Sequence, residues 1–508
     1  MKLRDLLVGA DPSHPIGNAD TEITSLAYDS RQVTSGALFF AIRGEKSDGN
    51  RYVFDAIERG ARAIASERPR PWSAQWAEIF PGEVAAKPDV PAKVVWLQVA
   101  NARRALATAA ANFYGRPVEA LQLVAVTGTN GKTTTTYLLD SILRAAGHGT
   151  GLFGTIAYRT PRGSRVATNT TPESLDLQGF LAEVRDAGGT HAVLEASSHA
   201  LAMDRLWGCP FAVAVFTNLT LEHLDYHKTL EDYFAAKRRL FEGTGAGAPA
   251  VGVINADDPY SRRLNGLASR SLTYGLGNGA EVTTKRFALA FSGLEFTAST
   301  PAGKIEVRSR LVGRINVYNI LAALAAAIGM GISRDAIEAG IRQLESVPGR
   351  FERLDLGQPY LVVVDYAHTD DALSNLLATA RELNPAGRIV TLFGCGGDRD
   401  RTKRPLMGEI AGHSSDAVVL TSDNPRSEDP LRIINDVVVG LQKTKTKYVI
   451  EPDRSAAIER ALDEARPGDI VLLAGKGHET YQVLRDRTID FDDREMARRS
   501  LRRRGFGA

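Results

Sequence analysis

The chain has 508 residues, 44% of them hydrophobic and 24% charged, with a formal net charge of +2. That balance is ordinary for a globular protein, long enough for about three domains with cores of their own, and it gives no broad attraction for nucleic acid or an anionic membrane. Two cysteines, Cys209 and Cys395, are too few for a disulfide framework and lack metal-site spacing. The start, MKLRDLLVGADP, is too short in its apolar part for a signal peptide, and the longest apolar stretch, Leu321 to Met330, falls far short of a membrane span. A cytoplasmic location is expected.

Residues 1–117 read as a small α/β domain, with strand-like ALFFAI (37–42) and ARAIAS (61–66) around a helix holding Phe54, Ala56 and Ile57. Residues 68–91, rich in Pro, Trp and Ala without periodicity, read as a surface insertion. Asp29, Ser30, Arg31, Lys46, Ser47, Asp48 and Gly49 fall in turns beside the strands. Residue types alone favour solvated turns there over ligand contacts.

A second domain is expected over 118–347, opening on LQLVAVTGTNGKTTTTYLLD (121–140). Leu121 to Val126 have the β-branched content of a buried strand, and Tyr137, Leu138 and Leu139 begin an apolar helical face. Between them, Gly128 and Gly131 let backbone N–H groups point at an anion, and the helix N-terminus adds partial positive charge. Lys132 is expected to reach the β- and γ-phosphates of a nucleotide and Thr133 to ligate Mg²⁺. Val126 stands where the general phosphate-loop pattern has its first Gly, so TGTNGKTT is a tighter form of that loop.

Further along, Asn169, Thr170 and Thr171 precede a helix and by themselves suit a cap. Ala192, Val193 and Leu194 read as a strand with Glu195 at its C-terminal end, placed to hold Mg²⁺, followed by Ser197, Ser198, His199 and Arg205. Another strand ends at Thr217 and Asn218 and leads into Glu222, His223, Asp225, Tyr226 and His227. That strand is expected beside the one carrying Glu195, which makes His223 a candidate second metal ligand. Lys237, in the basic run YFAAKRRLF, reads on its residues alone as a solvated helix position. Asn316 and Asn319, three apart at the start of an Ala-rich helix, suit either a nucleotide contact or a cap.

From 348 to 508, strands alternate with helices, predicting a mostly parallel sheet covered on both faces. Each charged cluster follows an apolar strand: Asp365 and His368, Asp398 and Arg399, Asp423 to Arg426, Lys476 to Glu479. In open α/β sheets such positions converge on one ligand crevice. The run Arg498 to Arg504 reads as a solvated last helix, since it lacks the aromatic interleaving of a nucleic-acid arm.

Taken together, TGTNGKTT, LEASSHAL, TNLTLEHLDYH, YFAAKRRLF, DYAHTDDAL, GCGGDRDRTKRPLMG, SDNPRSEDP and AGKGHE, with the DSR and GEKSDG segments of the first domain, resemble the Mur ligase family over nearly the whole chain. The resemblance points to the branch that adds meso-2,6-diaminopimelate. It implies three domains, binding in turn UDP-N-acetylmuramoyl-L-alanyl-D-glutamate, ATP and the incoming amino acid, in a chain expected to be a monomer. The implied reaction passes through an acyl phosphate on D-glutamate. By that match Ser30, Glu45, Lys46 and Ser47 belong to the uridine nucleotide, and Asn169, Thr170, Thr171, Ser197 and Arg205 to the muramoyl peptide. Gly128, Thr129, Asn130, Gly131, Lys132, Thr133 and Thr134 hold the ATP phosphates, with Asn316, Arg350 and Asp365 as further nucleotide contacts. Thr133, Glu195, His223 and Lys237 serve Mg²⁺, and the match turns Lys237 from a solvated cation into a CO₂-derived carbamate. Arg399, Asp423, Asn424, Pro425, Arg426, Gly475 and Glu479 match the diaminopimelate site, where Arg399 and Arg426 suit a far carboxylate and Glu479 the ammonium. The alternative for Arg426 is a brace against Glu428 or Asp429. Met203 and Ile315 depart from the family's pattern, so neither carries a role. The competing classes are a nucleotide switch that makes no bond, a lysine-adding homologue and a folylpolyglutamate synthetase, the last disfavoured by the first-domain motifs.

Overall fold

The computed structural model describes residues 1–10, 14–44, 47–70, 90–277 and 279–507, the side chains of 14–16 and 225 excepted. Glu45, Lys46 and most of the expected 68–91 insertion lie outside the described residues.

Among the described residues, three large sheets follow one another along the chain, and a two-stranded one, Tyr481–Val483 with Thr488–Asp490, comes near its end. The first has five strands in the order His14–Ile16, Val95–Gln98, Ala63–Ser66, Ala37–Phe40, Ser25–Ala27, all parallel except the first pair. The second has a parallel centre in the order Arg270–Gly275, Val251–Asn255, Phe211–Phe216, Gln122–Thr127, His191–Glu195, Thr150–Phe153. Antiparallel strands extend both of its edges, Ala157–Thr160 with Gly163–Val166 on one side and Phe287–Ala290, Gly293–Thr300 and Gly303–Ser309 on the other. The third runs Glu352–Leu354, Leu361–Asp365, Ile470–Ala474, Ile389–Phe393, Ala417–Leu420, Lys447–Ile450, parallel apart from its first pair.

The alternation of side chains along a strand supplies a core on each face of a sheet. In Gln122–Thr127, Val124 and Val126 pack with Leu138, Ile142 and Leu321 on one side, while Leu123 and Ala125 pack with Leu177, Leu181 and Leu240 on the other. In the third sheet Val363 and Leu472 share one core with Leu377 and Val437, and Val362, Val364 and Leu473 share the other with Ile458 and Leu501. The last helix, Asp493–Arg503, exposes Arg499, Arg502 and Arg503, as expected, while Ser500 and Leu501 are buried and Arg498 reaches Glu352.

One expected adjacency fails. The strand Phe211–Phe216, which leads to His223, does not lie beside His191–Glu195, because Gln122–Thr127 runs between them and pairs with both. A parallel sheet wound outward in both directions from its phosphate-loop strand places later strands on either flank of it. Glu195 and His223 therefore approach the loop from opposite sides.

Candidate active site

The loop after Gln122–Thr127 is shaped by two glycines. Gly128 has φ 143° and a Cβ on it would sit 1.9 Å from Thr217 Oγ1, while Gly131 has φ 88° and would meet Asn319 Oδ1 at 2.4 Å. Both positions exclude side chains sterically as well as conformationally. Gly131 precedes the helix Lys132–Ala145, which has no side-chain cap, so its first N–H groups open on a cavity of about 280 Å³ lined by Thr129 to Thr134. Lys132 Nζ folds back on the loop, donating to the carbonyls of Gly128 (3.0 Å) and Thr129 (2.7 Å).

Thr133, buried in the first turn, donates to Glu195 Oε2 at 3.1 Å. The same carboxylate accepts from the Thr155 N–H (2.8 Å) and hydroxyl (3.0 Å), so a 1% exposed anion is fixed at the end of its strand. From the opposite flank come Glu222 and His223. Glu222 lies 3.7 Å from His223 Nε2 and 4.0 Å from His368 Nε2. Burial opposes its ionisation, yet His223, Lys132, His368 and Lys237 together hold its carboxyl below the usual range.

Lys237 contradicts the solvated reading of its sequence. It is 1% exposed, its Nζ donates to Gly128 O at 2.6 Å, and it lies 4.3 Å from the Tyr233 ring centroid. The helix Leu230–Glu242 turns Tyr233, Phe234, Lys237 and Phe241 inward and Arg238 and Glu242 outward, a periodicity that the run AAKRRL conceals. Burial, reinforced by Lys132, pushes its ammonium well below the ordinary lysine value.

The far wall of the cavity belongs to the third sheet. Arg350 Nη2 donates to Thr133 Oγ1 at 3.2 Å, and Asn130 Nδ2 donates to Asp371 at 2.6 Å, so residues more than two hundred apart meet at the loop. Asp365 accepts from the backbone N–H groups of Phe351 (2.6 Å) and Ala367 (2.8 Å), and burial raises its pKa. Asn316 bonds Val312 O and Asn319, and both asparagines line the cavity.

Ser30 and Ser47 face a cleft of about 500 Å³ with Tyr28, Arg31, Tyr52 and Arg103. It opens toward the second sheet, where Glu173 pairs with Arg103 and Arg205. Arg205 also donates to Thr171 O at 3.0 Å and lies 3.7 Å from Met203 Sδ. Thr171, 0% exposed, spends its hydroxyl on Glu195 O and Ser197. Ser197 caps the helix Ser198–Ala202, Asn169 bonds Tyr158 through its backbone, and Thr170 accepts from Thr155 on the cavity rim.

On the third sheet the loops after neighbouring strands do converge. Asn424 Nδ2 donates to Glu479 Oε2 at 2.9 Å, and Asp423 Oδ2 lies 3.0 Å from the Cβ position of Gly475. Arg426, at φ 52° after Pro425, donates to Gly397 O at 2.8 Å. It is not braced by Glu428, whose two oxygens are taken by the fully buried Arg404. Arg399 is exposed and bonds only Asp398 O among the described residues. The His478 ring lies tilted against Tyr366, whose ring lies tilted against His368, so the amino-acid cluster and the cavity share a rim.

Sequence reasoning named Glu222 and His368 within longer stretches but singled out neither, and it passed over Thr155 and Tyr366. Glu222, the acid directly before His223 in a strand-end loop, was the available signal; nothing local marks Thr155, which arrives from a hairpin connection.

Three family models match the chain: "Mur ligase family, catalytic domain" over residues 22–114, "Mur ligase middle domain" over 126–327, and "Mur ligase, glutamate ligase domain" over 349–477. The chain is 53% identical over 510 residues to the UDP-N-acetylmuramoyl-L-alanyl-D-glutamate--2,6-diaminopimelate ligase of Solibacter usitatus, covering 100% of this chain and 99% of that protein. A protein of the same name from Geobacter metallireducens is 44% identical over 530 residues, with 100% of each covered. A solved structure of such a ligase superposes with TM-score 0.66 at 32% identity over 99% of each chain. The MurF ligase of Thermotoga maritima in complex with ADP shares the fold, with TM-score 0.62 at 19% identity over 95% of this chain and 99% of that one. With models spanning all three units and full-length relatives above 40% identity, the chain belongs to the Mur ligase family.

Proposed function

We propose that this chain catalyses an ATP-dependent step of peptidoglycan precursor synthesis, adding meso-2,6-diaminopimelate to the D-glutamate of UDP-N-acetylmuramoyl-L-alanyl-D-glutamate. The observation that carries this reading is the shared rim: Gly475 N, in the amino-acid cluster, donates to Asp365 O, in the nucleotide cavity, at 3.0 Å. In the first step an oxygen of the glutamate carboxylate forms a bond to the γ-phosphorus of ATP and ADP leaves. In the second the amine attacks the acyl carbon, loses a proton, and phosphate departs.

Both partners of the first step are anions, so the site must hold them together. The loop N–H groups and Lys132 serve the phosphates; Lys132 already lies among the loop carbonyls and needs only to turn toward them. Asn316, Arg350 and Asp365 hold the rest of the nucleotide, with Thr129, Asn130 and Thr134 in the loop itself. The Thr133 hydroxyl, the Glu195 carboxylate and the His223 imidazole are a donor set suited to Mg²⁺, which when bound screens the phosphate charge. Lys237, dry and held toward its neutral form, suits addition of CO₂, and its carbamate completes the anionic side of that set. Ser30 and Ser47 bind the uridine nucleotide, and Asn169, Thr170, Thr171, Ser197 and Arg205 border the peptide. Arg399, Asp423, Asn424, Pro425, Arg426, Gly475 and Glu479 receive diaminopimelate. Both walls of the cavity come from one chain, so a monomer suffices. Among the described residues no helix is long and apolar enough to cross a membrane.

The test is ADP release measured with each cosubstrate omitted in turn, with the product identified by mass. Release only when dipeptide and diaminopimelate are both present is expected. Release that ignores the amino acid would instead support a nucleotide switch.

A further inference from the structure

The amino-acid cluster holds a cation to which the reaction as described gives no part. Lys476 is 0% exposed, and its Nζ donates to Glu479 Oε2 at 2.9 Å and to Asn424 Oδ1 at 3.3 Å. Asn424 Nδ2 donates to that same Glu479 oxygen at 2.9 Å, and the Val483 N–H donates to Asn424 Oδ1 at 2.9 Å. A closed triangle thus fixes the two groups. Glu479 Oε1 accepts nothing from the described residues, and the side chain keeps 13% exposure, so one oxygen is anchored while the other remains for a ligand.

Lys476 is the cation that faces Glu479, while the fully buried Arg454 and Asp493 offset each other at 2.7 Å. A buried ammonium 2.9 Å from Glu479 also means that the carboxylate offers a ligand hydrogen-bond acceptance with its net charge already cancelled.

We propose that Lys476 is a positioning residue that determines amino-acid specificity: by orienting Asn424 and neutralising Glu479 it makes the pocket reject a far end that is a bare ammonium and accept one carrying an ammonium and a carboxylate together. This rests on the reading of Asn424, Arg426 and Glu479 as the diaminopimelate site. A far end that is a bare ammonium finds in Glu479 a carboxylate whose charge Lys476 already offsets, whereas a far end with both charges also pairs its carboxylate with the arginines while its ammonium meets Glu479 Oε1.

The test compares kcat/KM for meso-diaminopimelate and L-lysine in the wild type, Lys476→Met, Lys476→Gln and Lys476→Arg, by ADP release and product mass. Lys476→Gln is the second neutral variant, keeping a donor toward Glu479. Both neutral variants should reduce the preference for diaminopimelate about tenfold or more, chiefly through a lower KM for lysine with kcat little changed. Lys476→Arg should keep the wild-type preference. Neutral variants that keep the wild-type ratio would overturn the proposal, as would an arginine variant that relaxes it equally. Neutral variants that fail to fold while Lys476→Arg folds would assign a purely structural role and overturn it too. A wild type that does not ligate diaminopimelate would instead overturn the reading of the pocket on which the proposal stands.

Discussion

Gly131→Ala probes the phosphate loop at a point where the cost can be worked out. Gly131 sits at φ 88°, ψ −8°, a left-handed conformation that costs alanine about 1 kcal/mol. Its new Cβ would lie 2.4 Å from Asn319 Oδ1. Relief requires Asn319, 4% exposed, to turn away and break its 2.8 Å hydrogen bond to Asn316, 8% exposed. Losing a buried hydrogen bond adds about 1 to 3 kcal/mol, for a total of about 2 to 4 kcal/mol. At about 2 to 4 °C per kcal/mol for a unit of this size, the melting temperature of the second unit should fall by about 4 to 16 °C. Gly147→Ala is the matched control: φ is 85°, but nothing lies within 4 Å of its Cβ, so only the backbone term applies. Thermal melts of the two variants, with the KM for ATP measured alongside, separate strain from collision. If Gly131→Ala melted with Gly147→Ala and bound ATP normally, the close approach of Asn319 to the loop would be refuted.

Lys237→Ala should be nearly inactive at saturating substrates, and a short carboxylic acid in the assay should restore part of the rate by replacing the missing anion; full activity without rescue would rule out the carbamate. Arg426→Ala should raise the KM for diaminopimelate about 30-fold or more while moving that for ATP little, as steady-state kinetics on each substrate will show. Glu428, hydrogen-bonded to Arg404, is held from 4.5 down to about 2, so its contribution to stability is full above pH 4.5 and is lost as pH falls toward 2. Melting curves of Glu428→Gln should therefore be less stable than wild type above that window and converge with it below; a gap independent of pH would show that the carboxylate's charge is not what stabilises.

The strands and helices that carry the site were legible because their signals are local. Gln122–Thr127, His191–Glu195 and Ile470–Ala474 are uninterrupted apolar runs that end at polar loops, and the rule that ligands gather at such ends led to the third-unit cluster. The order of strands in the sheet was less legible, because it depends on which way each crossover winds, and the side chains around His223 do not encode that. Lys237 shows a second limit: the run AAKRRL presents three cations in a row, and only packing against Tyr233 decides which one is buried. Lys476 is similar, since a lysine with 0% exposure looks in sequence like any other strand-end charge.

The register of Leu361–Asp365 on Ile470–Ala474 sets Asp365 opposite Ala474, one strand spacing of about 4.8 Å apart, with the Gly475 N–H bonded to Asp365 O. On the proposed assignment of the two clusters, Asp365 and the loop at Gly475 stand at the ends of directly hydrogen-bonded strands, so the sheet sets the distance between a nucleotide contact and an amino-acid contact. An inhibitor that tethered a nucleotide mimic to a diamino diacid would gain from that pairing, because the effective concentration of its second arm depends on matching the span between the two contacts. A linker of the fitting length should then outperform slightly shorter or longer ones steeply, and a flexible one would forfeit most of the benefit.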